Sequence, residues 1–478
     1  MDSMLAIQVI PQQEGDEGLI VVPRPARSGE EDLLLVQKLG AVQELLLPIV
    51  LQVKDKAETL RRAGGKAARW LVQHKVQSVS LRVADLECLE VPEAVGAFCE
   101  GLLLGAFQFP HYKSGQGETL PTQVYLLADK DQKALKELVQ SVSILAEGVN
   151  LARAIAVQPP NVINPLTLAE YALELAEQDG LTCRVLDETE LAEIGAGAML
   201  AVGQGSQTHP RLILLEYPGC GGQAGSAPVV VIGKAMTFDS GGYMVKDRAS
   251  IVGMKYDKCG GAAVLGLMHA ISQLRLDTPV VGVIAAAENM ISAAAFRPGD
   301  VIRSLSGKTI EITSTDAEGR LVLCDALTYA QGHYQPRFLL DLATLTYGVV
   351  AALGKVRAGL MSNDDDMASL LLDCGERTGE RLWRLPLDDD YLEYLHSDIA
   401  DLKNYSGMKD ASPVTGGVFL QQFVSAGVPW AHLDILGVAT TEHDLPYCPR
   451  GATGFGVRLM LDYLLTLNEV FAFPRYIP

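Results

Sequence analysis

The feature that most constrains this chain is the run Val229-Val230-Val231-Ile232, four β-branched residues in a row. Such side chains favour extended backbone, and a strand that is apolar on both faces has to be covered on both faces. The run therefore predicts a central strand in a sheet that lies between helices. Short apolar runs at 211–215, 280–287, 338–342 and 431–436 alternate with helix-length segments at 257–274, 321–331, 366–379 and 416–427. That alternation reads as α/β, with a largely parallel central sheet covered by helices on both faces.

Beyond the run, Gly233-Lys234-Ala235-Met236-Thr237-Phe238-Asp239-Ser240-Gly241-Gly242 places a lysine and an aspartate past the expected strand end, with a glycine pair that permits a tight turn. Ligands of open α/β sheets sit at the carboxyl ends of strands. Lys246 and then Met254-Lys255-Tyr256-Asp257 follow before glycines open a helix. A second acidic stretch is Ser314-Thr315-Asp316-Ala317-Glu318-Gly319-Arg320. If it is extended, the period of two puts Asp316, Glu318 and Arg320 on one face. Carboxylates so close raise each other's pKa, which a bound metal or a shared proton relieves. Taken alone, those seven residues also read as an ion-pair cluster on a surface turn.

Together, Asp239, Asp257, Asp316 and Glu318 supply anions, and Lys234, Lys246 and Arg320 supply cations. Four carboxylates with no His or Cys at ligand spacing describe a hard, oxygen-rich site for two divalent ions. Two such ions polarise a carbonyl and generate a bound hydroxide, as in aminopeptidases, phosphatases and nucleases. A lysine close to both ions can lose its proton and become a nitrogen ligand, while one farther away stays charged and stabilises an oxyanion.

In order and spacing these motifs resemble the cytosol leucyl aminopeptidase family of dimetal exopeptidases. The likeness continues through Arg297-Pro298-Gly299-Asp300-Val301, Ala343-Thr344-Leu345-Thr346, Trp430-Ala431-His432-Leu433-Asp434-Ile435 and Gly451-Ala452-Thr453-Gly454. The resemblance implies that Lys234, Asp239, Asp257, Asp316 and Glu318 bind the metals. In that scheme Asp239 and Glu318 bridge the ions, Lys234 and Asp257 complete the tighter site, and Asp316 serves the more exchangeable one. It further implies that Lys246 stabilises the tetrahedral intermediate and that Arg320 holds a bicarbonate ion acting as general base toward the bridging water. Met254, Thr344 and Leu345 match positions that line the substrate pocket or contact the substrate backbone. The implied cofactors are two divalent ions, zinc or manganese first and magnesium or cobalt as alternatives, with bicarbonate. The implied substrates are short peptides, and the implied assembly is a homohexamer. The sequence departs from the family pattern at Ala235 and Tyr347, where glycine is usual, at Ser314, where asparagine is usual, and through Ser406-Gly407-Met408-Lys409-Asp410-Ala411-Ser412-Pro413, where a Gly/Arg-rich stretch is usual. The first two substitutions by size, Ala235 and Ser314, are small and should leave the metals in place, whereas a phenol at 347 would recontour the pocket.

At 478 residues, 48% of them apolar and 20% charged, the chain has room for two or three domains with sizeable cores. No apolar run is long enough to span a bilayer, and the start, Met1-Asp2-Ser3-Met4-Leu5-Ala6, lacks the basic-then-apolar pattern of a secretory signal, so a cytoplasmic protein is expected. Eight scattered cysteines without a C-x-x-C read as reduced thiols, mostly buried. A net charge of −19 disfavours generic attraction to nucleic acid or anionic membranes.

Residues 1–132 read as a small N-terminal α/β domain, with strands at 5–10, 19–22, 46–53, 79–83 and 124–127 and helices at 57–76 and 92–104; it carries no catalytic constellation and is expected to serve assembly. Residues 133–158 read as one long connecting helix, and 159–478 as the catalytic domain, which opens with a capping box at Thr167-Leu168-Ala169-Glu170. Ser306-Gly307-Lys308-Thr309 reads as a turn rather than a phosphate loop, His432 as a core histidine, and the absence of His-Glu-x-x-His removes the commonest zinc-peptidase signature. The expected function is metal-dependent removal of the N-terminal residue from peptides. The competing readings are a dimetal phosphoesterase, a DNA-binding accessory protein on the same fold, and an inactive structural relative.

Overall fold

The structure, a computed structural model, describes residues 5–12, 19–25, 35–39, 42–49, 55–86, 90–109, 112, 114, 122–220, 226–408 and 410–467. The end of the strand expected at 46–53, the first four residues, Cys88 and Lys409 lie outside them. The described chain forms two compact units, the first from Met1–Asn150 with Thr441–Gly451 and the second from Leu151–Thr440 with Ala452–Asn468.

In the first unit the elements run β1 (Leu5–Ile10), β2 (Leu19–Pro25), β3 (Leu35–Leu39), β4 (Val42–Ile49), α1 (Lys56–Gln73), β5 (Ser78–Arg82), α2 (Val91–Gly105) and β6 (Thr122–Leu127). They build one sheet in the order β1-β6-β5-β2-β4-β3, parallel except where β3 runs against β4. α1 starts at Asp55, whose carboxylate accepts the Glu58 amide at 2.9 Å. Its buried Arg61 is neutralised by Glu100 of α2 at 2.9 Å and by Glu58 at 2.6 Å, because a guanidinium out of water needs carboxylate partners.

The helix α3 (Gln132–Val157) carries the chain onward, followed by α4 (Pro165–Asp179). The capping box falls one turn earlier than expected. Asn164 accepts the Leu166 and Thr167 amides, and the Thr167 hydroxyl accepts the Asn164 amide in return, so Pro165 can occupy the first helical position where its missing N–H costs nothing.

The second unit continues through β7 (Thr182–Leu186), α5 (Glu188–Ile194), α6 (Gly197–Gly203), β8 (Arg211–Tyr217), β9 (Val229–Asp239), α7 (Arg248–Ile251), α8 (Cys259–Leu274) and β10 (Val280–Asn289). Then come β11 (Val301–Arg303), β12 (Thr309–Glu311), α9 (Gly319–Tyr334), β13 (Phe338–Ala343), α10 (Tyr347–Leu353), β14 (Ala358–Ser362), α11 (Asp365–Thr378), β15 (Leu382–Arg384), β16 (Leu402–Lys403), α12 (Ser412–Gln421), β17 (Trp430–Asp434) and, after the return from the first unit, α13 (Val457–Leu467). The main sheet has the order β15-β14-β17-β13-β9-β10-β8-β7. Its centre, β17-β13-β9-β10, is parallel, and antiparallel pairing enters only at β14/β17, β10/β8 and β8/β7.

The Val229–Ile232 run is fully buried at the middle of this sheet. Val230 and Ile232 pack into a core shared with Leu321, Val322 and Phe419, whereas the opposite face of β9 meets the glycine-rich start of α8, as the run's two-sided apolarity requires. Among the described residues seven cysteines are free, and of these only Cys220 is exposed. The Ser304–Lys308 segment is the turn of the β11/β12 hairpin.

Candidate metal centre

β9 runs farther than its apolar start suggested, to Asp239, so Lys234 stands inside the strand rather than past its end. Its ammonium is buried and meets Asp257 Oδ2 at 2.9 Å, Glu318 Oε1 at 3.0 Å and the Thr344 carbonyl at 2.9 Å. A lysine in mid-strand is tolerable because these partners replace the water it gave up. Gly319 makes the room, since a Cβ there would stand 2.6 Å from Lys234 Cε.

The 314–320 stretch is not extended. Thr315 and Asp316 form a turn, and Glu318 is the residue that opens α9. The positive end of the α9 dipole favours the negative charge of Glu318, whose carboxylate reaches Lys234. Period-two reasoning thus fails here, yet the carboxylates still converge: one oxygen each from Asp239, Asp316 and Glu318 lies within 4.8 Å of the others. Lys246 bridges two of them, at 2.7 Å from Asp239 Oδ2 and in contact with Asp316. Arg320, one step into α9, directs its Nη1 to the Asn404 carbonyl at 2.9 Å and lies over the Phe419 ring.

Burial pushes Asp257 and Asp316 up to about 7, with mutual repulsion from Glu318 adding to it and the lysines opposing. Asp239 is raised for the same reasons. Glu318 is also desolvated, but Lys234, Lys246 and its own helix-end amide hold it below the ordinary range. Burial alone would lower both lysines; the carboxylates around them reverse that and raise them. The cluster is therefore short of positive charge. Asp257 Oδ2 and Asp316 Oδ1 are buried and accept no hydrogen bond of good geometry from the described residues, although an ammonium stands beside each. Oxygen-rich, anionic and incompletely satisfied, these residues fit divalent cations. Arg320 fits a small anion: burial lowers it to about 10, and its buried Nε has no hydrogen-bond partner among the described residues.

Of the expected pocket residues, Thr344 is buried and donates its hydroxyl to Asp257 Oδ1 at 2.6 Å, while Met254 and Leu345 are partly exposed. Asp434 fixes this loop by accepting the Leu345 and Thr346 amides and the Thr346 hydroxyl. His432 sits in the core, paired through Nδ1 with Asp341, which also accepts Trp430 Nε1 at 2.7 Å.

Two asparagines escaped the sequence reading. Asn289, the last residue of β10, donates to Asp239 Oδ1 at 2.8 Å and to the Thr315 carbonyl at 2.9 Å, tying the two acidic stretches together. Asn404 holds the 313–317 loop. The position of Asn289 at the carboxyl end of an apolar strand was the available signal; Asn404 carried none.

The profile of the cytosol aminopeptidase family's catalytic domain matches residues 150–461, and that of its N-terminal domain matches residues 52–116. This chain belongs to the cytosol aminopeptidase family. A probable cytosol aminopeptidase of Syntrophotalea carbinolica is 43% identical over 91% of this chain and 88% of its own length. The cytosol aminopeptidase of Rickettsia prowazekii is 36% identical over 96% and 90%. Among solved structures, the bottromycin maturation enzyme BotP in complex with Mn superposes with a TM-score of 0.85 at 32% identity, covering 95% of this chain and 99% of that one. As a cytosol aminopeptidase family member the chain is a peptidase, a metal-dependent aminopeptidase, and the acidic cluster at the carboxyl ends of β9 and β10 is the part of the fold suited to the metal. Among the described residues, no helix is long and apolar enough to cross a membrane.

Proposed function

We propose that this chain removes the N-terminal residue from short peptides using two divalent cations held by Lys234, Asp239, Asp257, Asp316 and Glu318. The observation that carries this reading is the convergence of Asp239, Asp316 and Glu318 within 4.8 Å, flanked by two buried lysines. When bound, the cations supply Lewis-acid polarisation of the peptide carbonyl and a water of lowered pKa. Zinc or manganese suits a set of oxygens with one amine; magnesium and cobalt are the alternatives, and the manganese in the BotP structure favours manganese.

Lys234, Asp239, Asp257 and Glu318 would hold the tighter cation, and Asp239 and Glu318 with Asp316, whose side chain is 30% exposed, would hold the exchangeable one. In this role Lys234 would hold its ion through a neutral amine, the proton that the carboxylates keep on it now being released to solvent as the cation enters. Lys246 keeps its charge and meets the oxyanion that develops on the scissile carbonyl. Arg320 would hold a bicarbonate ion as the proton acceptor, leaving the carboxylates free to hold the cations. Met254, Thr344 and Leu345 bound the substrate pocket. The first unit serves assembly into a homohexamer, and the working compartment is the cytoplasm.

The test is hydrolysis of leucine p-nitroanilide by protein stripped with a chelator and reloaded with manganese or zinc, beside Glu318→Ala. Metal-restored turnover that the variant lacks supports the reading. No turnover with any metal, across aminoacyl anilides and dipeptides, would overturn it.

A further inference from the structure

Asn404 follows β16, the short strand that pairs in parallel with β12. Its own N–H extends that ladder, donating to the Glu311 carbonyl at 2.9 Å. The pairing delivers its side chain, fully out of solvent, to the loop that leaves β12 and carries Asp316 and Glu318. There the amide works in both directions. Oδ1 accepts the Thr313 amide at 2.9 Å and the Ser314 amide at 3.2 Å, and Nδ2 donates to the Ser314 carbonyl at 2.6 Å and, more weakly, to the Ala317 carbonyl at 3.4 Å. The Asn404 carbonyl, in turn, receives Arg320 Nη1 at 2.9 Å.

One residue therefore holds the backbone on which two of the metal-site carboxylates are mounted and also anchors the guanidinium. A primary amide is the side chain of this length that accepts and donates at once; a carboxylate in its place would face two carbonyl oxygens with no proton to give. Outer residues that orient ligands in this way tune metal affinity without touching the ion. We propose that Asn404 is a positioning residue that sets the Asp316–Glu318 loop and Arg320 in register with one another, so that cation affinity and the use of bicarbonate depend on it together. This rests on the functional reading above.

The experiment compares Asn404→Asp, which keeps the shape and loses the donor, with Asn404→Ser. Asn363→Ala serves as a control, because Asn363 clamps backbone at Trp430 and Val428 with the same two-way amide. Manganese is titrated into each chelator-stripped, folded protein by calorimetry, with thermal unfolding recorded in parallel and turnover measured at saturating manganese with and without added bicarbonate. The expected result is a manganese Kd weakened by about 10- to 100-fold in both Asn404 variants, with a blunted response to bicarbonate, and an unchanged Kd in Asn363→Ala even where its Tm falls. Lowered Tm with wild-type manganese Kd and wild-type bicarbonate response in the Asn404 variants would overturn the inference and leave the functional reading standing. A wild-type protein that takes up no manganese would overturn both.

Discussion

The ammonium of Lys246 lies 5.9 Å from the centre of the Tyr347 ring. Tyr347 begins α10, and the next residue, Gly348, packs closely on the start of α12, where a Cβ would stand 2.1 Å from the Ser412 hydroxyl. The ring stands beside the group proposed to meet the scissile carbonyl, and the residue is 52% exposed. Whatever is attached to that carbonyl passes close to the phenol. Tyr347→Gly is expected to raise kcat/KM for bulky N-terminal residues relative to alanine by roughly tenfold, the usual size of a steric effect in an apolar pocket. A panel of aminoacyl anilides reads this directly, and an unchanged ratio would remove Tyr347 from the specificity determinants.

Lys246 itself divides binding from chemistry. An ammonium that serves the developing oxyanion acts mainly in the transition state. Lys246→Met is thus expected to lower kcat by about 100- to 1,000-fold with KM changed far less. Steady-state kinetics on the reloaded variant decides it; a loss confined to KM would make Lys246 a substrate-binding group.

Removal of the cations has a stability consequence as well as a catalytic one. Stripped of them, four carboxylates share two ammonium groups in a buried space, and Asp257 and Asp316 are driven up to about 7. Ions that bind the folded chain stabilise it by mass action, by about 2.7 kcal/mol at a hundred times Kd. Chelation should lower Tm and manganese should restore it, whereas Glu318→Ala, which removes a buried member of the cluster, should show little response to manganese. Differential scanning calorimetry distinguishes these outcomes, and a wild-type Tm indifferent to manganese would contradict the assigned ligands.

Much of this site was legible from residue order. Lys234, Asp239, Asp257, Asp316 and Glu318 could be gathered because each stands in a dense polar stretch beside an apolar run, and strand ends are where such folds place chemistry. What was lost concerned conformation and long-range partners. The Ser314–Arg320 stretch looked extended, and only the helix that starts at Gly319 explains why Glu318 faces the lysines. Asn404 is 90 residues from the Ser314 backbone it holds, and nothing in its own neighbourhood announces that pairing. Likewise the short strands β14 and β15 are read as sheet members only once β17 is in place to pair with β14. Local pattern identifies which residues are chemically unusual; sheet register decides which of them meet.

Asp325 shows how a group outside the site governs stability. It lies on α9, buried, with its two oxygens accepting the Met199 amide at 2.9 Å and the Leu305 amide at 2.7 Å. Burial raises its carboxyl to about 7, against those amides, which favour the charged form. In the unfolded chain it titrates at about 3.9. Between the two values the folded protein keeps a proton that the unfolded chain has released, so the contribution is complete below about pH 4 and is lost as pH rises toward 7, at up to about 1.4 kcal/mol per pH unit. Asp325→Asn cannot ionise, so its Tm should fall less steeply than the wild type's between pH 4 and 7, whatever its absolute value. Thermal unfolding of both proteins across that range is the check, and parallel Tm curves would mean that Asp325 stays ionised when folded.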